Sequence, residues 1–273
     1  ALAVTGNTTP SVGALTNYSV VVFNNGTANQ TNYTVKLYNA ANVELASAPG
    51  VPVNAGEQVN VSLGFAPTTE GPMSIYGKVI LTGDINNVND QTPPLNLVVM
   101  PAGLVMVTVG DGGLWEGIPW EFYYKNSLYE NIYLQSELNL YGMVTSVTFY
   151  NNFVTNLPDK PVKLWLGTTT QTNLDAGWIP STDLTLVYDG TLTFPSGENT
   201  IIVPLATPFP YTSGNLVLMA FRPMDTSYFN TNDNFAAQTV GTNRARKLYS
   251  DSVTYDPAVP ATGGTLSGTF PKT

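Results

Sequence analysis

Two Trp-Glu pairs lie five residues apart, Trp115-Glu116 and Trp120-Glu121. An indole can stack on the CH groups of a sugar while a neighbouring carboxylate accepts hydrogen bonds from sugar hydroxyls. Two carboxylates could also form a glycosidase pair, at separations of about 5–5.5 Å or 6.5–9.5 Å. The favoured alternative to a sugar site is a structural loop, in which the tryptophans fill the end of a β-sandwich core and the glutamates are solvated.

Tyr150 and Trp165 form a second aromatic candidate. Each lies on the face opposite to the apolar stripe of its predicted strand. If the two strands pair, these side chains form an exposed platform, and exposed apolar patches mark contact sites. Cross-strand packing or cover by a loop is the favoured alternative. The carbohydrate-binding candidates are therefore Trp115, Glu116, Trp120, Glu121, Tyr150 and Trp165.

Two runs of the chain are rich in side-chain oxygen atoms. One contains Asp84, Asn86, Asn89 and Asp90, and the other contains Asp225 and Asp233 among several asparagines. Calcium takes 6–8 oxygen ligands and is the one common metal that suits this composition. The first run lacks the glycine and the distal glutamate of an EF-hand loop, so turn-capping Asx side chains are the alternative. Calcium is the only cofactor that the sequence suggests.

The composition excludes several classes of chemistry. Cysteine and histidine are both absent from the 273 residues, which removes Ser-His-Asp and Cys-His catalysis, disulfides, and thiolate or imidazole metal sites. The net charge of −9 disfavours nucleic acid, and no run of 18 apolar residues is present to insert into a membrane. The basic segment at 244–247 (RARK) is predicted to be a solvated edge that resists strand addition, with an anion site as the alternative. We therefore predict no catalytic residues and no enzyme activity.

The elements that carry these residues are predicted to be strands. Between residues 141 and 194, apolar side chains alternate with polar ones in three segments, which indicates an antiparallel meander. Asp189-Gly190 is predicted to be a two-residue hairpin turn. Residues 216–221 are apolar throughout, the pattern of a strand covered on both faces. Residues 1–100 contain roughly seven short strands with frequent turn signals, as in an immunoglobulin-like sandwich.

The first part of the chain carries a resemblance. Residues 21–26 (VVFNNG), 33–38 (YTVKLY) and 53–57 (VNAGE), together with a hairpin at 83–90, resemble the CARDB family, a bacterial cell-adhesion-related module. The resemblance implies a rigid extracellular spacer or adhesive unit without shared catalytic residues.

A second resemblance covers about residues 104–270. Residues 143–150 (MVTSVTFY), 163–167 (KLWLG), 178–180 (WIP) and 186–190 (LVYDG) are similar to jelly-roll modules of large secreted bacterial surface proteins, often exported by the type IX route. This resemblance implies an adhesive or carbohydrate-binding unit. In such modules the last strand continues past a position like Phe270. This sequence ends at Thr273 and does not predict whether its closing strand is complete.

The predicted fold is all-β, with two β-sandwich domains in tandem. An immunoglobulin-like, CARDB-type domain spans 1–100, a larger jelly-roll-like sandwich spans 104–273, and the linker at 98–103 is interrupted by Pro101 and Gly103. Six Asn-x-Ser/Thr sequons lie in the first domain. They indicate glycosylation, or else they arise by chance because the chain is rich in Asn and Thr. They are Asn7, Asn17, Asn25, Asn29, Asn32 and Asn60.

The functional prediction is a non-catalytic piece of a secreted, cell-surface bacterial protein that acts as a spacer and an adhesive module. Its charged residues make up only 11% of the chain, against about 25% in an average soluble domain, which suits an extracellular location. The alternatives are a carbohydrate-binding module attached to a secreted enzyme, and a filament subunit assembled by strand exchange. The expected partners are accordingly a polysaccharide, a cell-surface protein, or further copies joined through sheet edges.

Overall fold

The computed structural model describes residues 1–273 and divides them into two compact units, Ala1–Met106 and Val107–Thr273. The dividing point lies just after the predicted linker. Helix is limited to one α-helical turn, Gln135–Leu138, and two 3-10 segments, Asn87–Asn89 and Ser181–Asp183. None of these helices has the length and apolarity needed to cross a membrane. The predicted all-β class with tandem sandwiches is confirmed.

The first unit is a seven-stranded sandwich of two antiparallel sheets, one ordered β1-β2-β5 and the other β4-β3-β6-β7. Its core is filled by the inward-facing set of each strand, among them Val20, Leu37 and Ile75. The strands are β1 (Ala3–Thr5), β2 (Thr16–Phe23), β3 (Thr34–Asn39), β4 (Glu44–Pro49), β5 (Gln58–Phe65), β6 (Gly71–Ile80) and β7 (Leu95–Val99).

The second unit contains eleven strands. They are β8 (Leu114–Glu116), β9 (Asn126–Tyr133), β10 (Gly142–Phe153), β11 (Leu157–Thr169), β12 (Thr185–Phe194), β13 (Gly197–Tyr211), β14 (Asn215–Arg222), β15 (Asn234–Thr239), β16 (Ala245–Ser250), β17 (Thr265–Ser267) and β18 (Thr269–Pro271). One sheet is ordered β13-β10-β15, with β8 and β18 both paired to β15, and the other is ordered β12-β11-β14-β9-β16-β17. Strands β8 to β15 follow the jelly-roll topology of two Greek keys, with β16 to β18 added.

The predicted meander is wrong. Strand β10 pairs with β13 and β15, whereas β11 pairs with β12 and β14 in the opposite sheet. Asp189 and Gly190 do not form a turn; they lie inside β12 opposite Lys163 and Val162. The dipeptide tolerates a turn but does not require one, and the Lys163 ammonium binds the Asp189 carboxylate at 2.8 Å across the strands. Long-range pairing therefore overrode the local turn signal.

The closing strand is present. Strand β18 pairs with β15, and Phe270 is fully buried in the core. The chain then continues along the sheet, because Lys272 N donates to Ala236 O at 2.8 Å and Thr273 exchanges backbone hydrogen bonds with Val109. The position beside β15 is thus filled by β8 and β18 of the same chain. This removes the observation that motivated assembly by strand exchange.

Loops cover the outer face of the six-stranded sheet. Every residue of β9 is buried, and so are seven of the eight residues of β14. The covering segments are residues 170–184 and 251–264, whose Trp178, Leu184 and Tyr255 pack on Trp165 and Met219. The prediction of a strand covered on both faces at 216–221 is confirmed.

Candidate functional site

The two Trp-Glu pairs point in different directions. Trp115 lies on β8 and is 43% exposed, whereas Trp120 is fully buried in the core of the second unit. The Trp120 ring makes edge-to-face contacts with Phe149, Phe194 and Phe235 at centroid distances of 5.1, 5.8 and 6.2 Å. Trp120 is therefore a plug of the sandwich and cannot stack on a sugar.

The two glutamates of this loop lie near one another and near one lysine. The Glu121 carboxylate packs against Gly117, where a Cβ atom would overlap it, and accepts a hydrogen bond from Tyr123 N at 3.0 Å. Burial raises the pKa of Glu121; the charge of Glu116 also raises it, whereas the Tyr123 N–H and the Lys247 charge lower it. Lys247 Nζ lies 3.9 Å from Glu116 Oε2. The loop thus combines one covered and one accessible carboxylate.

Three exposed tyrosines and one half-buried tyrosine form a cluster beside Glu121, which we call the tyrosine surface: Tyr123, Tyr228 and Tyr249 are exposed and Tyr124 is half-buried. Tyr124 stacks on Tyr249 with ring centroids 4.3 Å apart, and Tyr123 contacts Tyr124 and Tyr228 edge-on at 5.3 and 6.3 Å. Tyr123, Tyr228 and Tyr249 are 43%, 61% and 37% exposed. Clustered, exposed aromatic rings of this kind usually mark a contact site.

Buried hydrogen bonds hold the loops that carry the tyrosine surface. Arg222 at the end of β14 is fully buried and donates to Tyr124 O, to Ser227 O at 3.2 Å and to the Asp225 carboxylate at 3.0 Å. Its guanidinium also lies 5.0 Å from the Phe122 ring centroid. One buried cation therefore ties the loop before β9 to the loop after β14.

A second carboxylate borders the tyrosine surface. Asp251 follows β16 directly and accepts a hydrogen bond from Lys125 N at 3.0 Å, so it lies against the same loop as Tyr124. Sequence reasoning missed Tyr228 and Tyr249 because about a hundred residues separate them from Tyr123. The pairing of β16 with β9 and the contacts of Arg222 bring these positions together. No local sequence pattern indicates either of these long-range contacts.

The predicted platform of Tyr150 and Trp165 does not form, because β10 and β11 belong to opposite sheets. Trp165 is only 9% exposed beneath the covering loops. Tyr150 instead has Lys272 Nζ 5.0 Å from its ring centroid. Trp115 pairs with Ala236, and continuing the β10–β15 register by one residue places Tyr150 beside Ala236 as well. Trp115 and Tyr150 therefore share the outer face of the five-stranded sheet.

The second oxygen-rich run is occupied by protein donors. Asp233 is 1% exposed and accepts hydrogen bonds from Val154 N and Thr155 N, both at 2.8 Å, and from Asn230 N at 3.1 Å. Asp225 binds Arg222 at 3.0 Å and Lys160 at 3.3 Å. These contacts correspond to the turn-capping alternative.

The first oxygen-rich run lies in the β6–β7 connection and lines a cavity of the first unit, of about 660 Å³. Asp84, Asn86, Asn89 and Asp90 all take part in the lining. The chain contains no group of three or more His, Cys, Asp or Glu residues arranged to hold a metal. Any cation here would need amide, backbone or water oxygens besides the two carboxylates. The six sequon asparagines of this unit are all exposed.

The basic segment at 244–247 is not a solvated edge. Arg244 is 3% exposed and binds both carboxylate oxygens of Glu137, at 2.8 and 2.6 Å. Arg246 is 8% exposed and donates to Leu174 O at 2.7 Å. The prediction is wrong because β16 lies between β9 and β17, so its arginines fasten neighbouring loops rather than guard an edge.

Comparison with known proteins gives partial likenesses of fold. No family model matches the sequence, and no curated protein matches it. Among solved structures, a crystal structure of the CARDB domain of the PF1109 protein from Pyrococcus furiosus, in complex with di-metal ions, is 20% identical, with a TM-score of 0.30. That match covers 36% of this chain and 84% of the CARDB chain. A solution structure of the same domain gives 20% identity and a TM-score of 0.30, over 36% of this chain and 90% of that one.

A secreted serine protease, VesC from Vibrio cholerae, matches at 9% identity with a TM-score of 0.20, over 85% of this chain and 49% of that chain.

Proposed function

We propose that this chain is a non-catalytic saccharide-binding module in which the second unit contacts the sugar through the tyrosine surface and the first unit acts as a spacer. The observation that carries the proposal is the tyrosine surface, with its three exposed rings and the half-buried Tyr124, beside the Glu121 and Asp251 carboxylates.

The chemistry of the tyrosine surface suits a sugar. Each ring offers an apolar face to CH groups, and each phenol can both donate and accept a hydrogen bond. The carboxylates at the border of the surface accept hydrogen bonds from hydroxyls and repel phosphate, as does the net charge of −9. The Arg222 contacts hold the loops in place, so binding costs little ordering entropy.

Binding rather than hydrolysis is supported by the state of the carboxylate pair. Glu121 is largely covered by Gly117 and the Tyr123 backbone, whereas a glycosidase pair must face the scissile bond from both sides. Histidine and cysteine are absent as alternative acids, bases or nucleophiles. The exposed Glu116 is therefore proposed as an acceptor for sugar hydroxyls, and Trp115 with Tyr150 as a second, smaller contact.

The proposed setting is a secreted or cell-surface bacterial protein, in which this module serves adhesion or brings an attached enzyme to its polysaccharide. The low share of charged residues and the exposed Asn-x-Ser/Thr sites support an extracellular location. The bound glycan distinguishes the two uses: host or cell-surface glycans favour adhesion, and structural polysaccharides favour the enzyme-attached module.

A glycan array combined with a pull-down on insoluble polysaccharides tests the proposal. We expect the chain to bind at least one class of glycan. The Tyr249→Ala and Tyr228→Ala variants should lose most of this binding signal. Tyr141→Ala is the matched control, because Tyr141 is also exposed, at 47%, and also packs on one other tyrosine, Tyr211 at 5.1 Å. The proposal would be contradicted if the chain bound no glycan, or if all three variants lost glycan binding equally.

A further inference from the structure

The rings of the tyrosine surface are set at steep angles to one another. The Tyr123 ring is inclined by 86° to Tyr124 and by 68° to Tyr228. Tyr249 stacks on Tyr124 with an interplanar angle of 25°, so Tyr249 is also steeply inclined to Tyr123. Tyr123 therefore stands upright beside its neighbours, and the tyrosine surface is angular rather than flat.

Two backbone hydrogen bonds join the loop before β9 to the loop after β14. Phe229 N donates to Phe122 O at 2.8 Å. Asp225 N donates to Lys125 O, also at 2.8 Å, so three of the four tyrosines lie between these two bonds. The fourth, Tyr249, lies on β16, which pairs with β9. The anchored backbone and the packing of the rings on one another hold the rings at these angles.

The angles between the rings determine which physical form of a glycan fits them. A sugar stacks its CH groups on an aromatic face, so each ring sets the orientation of the sugar that it contacts. The face of a crystalline polysaccharide presents its sugars in one plane and requires coplanar rings. Rings inclined by 68° and 86° contact sugars in different orientations. A separate chain offers such orientations, because it can bend and twist at its glycosidic bonds.

The size and the border of the tyrosine surface also favour a separate chain. Neighbouring ring centroids lie only 4.3, 5.3 and 6.3 Å apart, so the rings contact a few sugar units and not repeated rows of them. The exposed Asp251 carboxylate at the border can accept hydrogen bonds from sugar hydroxyls. Neighbouring chains engage these hydroxyls in a crystal, whereas a separate chain leaves them free.

We propose that the tyrosine surface binds a single, separate glycan chain and not the face of a crystalline polysaccharide. The inference rests on the proposed function, because it concerns the same site, and it narrows the ligand to soluble or amorphous glycans. Tyr123 distinguishes the two forms: its upright ring gives a separate chain a second stacking contact, and the same ring obstructs a flat face.

Binding to matched forms of one polysaccharide tests the proposal. The insoluble probes are crystalline and acid-swollen cellulose, and crystalline and colloidal chitin. Oligosaccharides of cellulose and chitin, and the soluble glycans of an array, complete the set. We expect the chain to bind at least one soluble or swollen probe, and to bind it at least about tenfold more tightly than either crystalline form.

Substitutions of Tyr123 test whether the upright ring takes part in binding. Tyr123→Ala should weaken binding of the soluble or swollen probe by about tenfold, whereas Tyr123→Phe keeps the ring and should retain most of the binding. Tyr123 is 43% exposed, so neither substitution removes a core side chain. Tyr141→Ala is the control, because Tyr141 is equally exposed but lies outside the tyrosine surface, and it should bind like the unchanged chain.

Two results would overturn this inference alone and leave the proposed function standing. One is binding to a crystalline form that is as tight as, or tighter than, binding to the soluble and swollen forms. The other is a Tyr123→Ala variant that binds the soluble or swollen probe as tightly as the Tyr141→Ala control. A chain that bound none of the probes would overturn the proposed function and this inference together.

Discussion

Glu130 makes the stability of the second unit depend on pH. It lies on β9 beneath the covering loops and is fully buried, and both of its carboxylate oxygens accept the Ile179 N–H, at 3.1 and 3.2 Å. Arg246 is the nearest cation, but its N–H groups go to backbone carbonyls such as Leu174 O and Gly263 O rather than to the carboxylate. Burial therefore dominates and raises the pKa of Glu130 from 4.5 to about 8.

The sign of the effect follows from proton linkage. The folded second unit holds this proton more tightly than the unfolded chain, so the stabilisation is fully present below pH 4.5 and is lost as the pH rises through 8. A pKa difference of about 3.5 corresponds to about 5 kcal/mol, which is an upper value for the loss. Glu130→Gln keeps an oxygen acceptor for Ile179 N–H and cannot ionise, so it should abolish this part of the pH dependence.

Urea unfolding of the full chain between pH 4.5 and 8.5, followed by tryptophan fluorescence, measures the effect. All four tryptophans lie in the second unit, so the signal reports on that unit alone. We expect the free energy of unfolding of Glu130→Gln to rise relative to the unchanged chain as the pH increases, by about 2–5 kcal/mol over this range. Glu198→Gln, an exposed carboxylate on β13, is the control and should run parallel to the unchanged chain. A Glu130→Gln profile that also ran parallel would refute the reasoning.

Three further substitutions test the packing and the loop contacts. Phe235→Ala should destabilise the second unit by about 3–5 kcal/mol in the same urea assay, because the buried ring contacts four aromatic neighbours; near-neutral stability would contradict this. Asp233→Asn should cost about 1–3 kcal/mol, since the amide sets an N–H against one of the backbone donors that the carboxylate accepts, whereas Asn232→Ala nearby should cost less. Gly77→Ala should destabilise the first unit by about 1–3 kcal/mol, measured by thermal unfolding in circular dichroism, because the added methyl group would lie 2.7 Å from buried Val20; an unchanged transition would show that β6 has room to adjust.

The alternation of side chains was enough to predict the strands and both sandwiches. The residues at 147–149 and 162–166 are strand residues with buried apolar faces, as their period of two indicates. Which strands pair was not predictable in this way, because alternation specifies the faces of a strand but not its neighbours. The chain passes from one sheet to the other between β10 and β11, so Tyr150 and Trp165 lie on different sheets.

The candidate site was predicted only where it is local in sequence. Glu116 and Glu121 belong to one loop and lie near one another in the structure. Trp120 shares that loop and is buried in the core, as the favoured alternative of a tryptophan plug predicted, whereas Trp115 is exposed. The tyrosine surface depends on segments distant in sequence, and Arg222, the residue that joins two of them, carries no sequence signal of its role.

The most direct measurement of the central claim is calorimetric titration of the best array ligand, as a soluble oligosaccharide, into the chain and its Tyr249→Ala and Tyr141→Ala variants. We predict one binding site on the unchanged chain and on Tyr141→Ala, and at least tenfold weaker binding for Tyr249→Ala, which corresponds to about 1.4 kcal/mol for the lost stacking contact. Binding that Tyr249→Ala leaves intact would contradict the assignment of the tyrosine surface as the saccharide site.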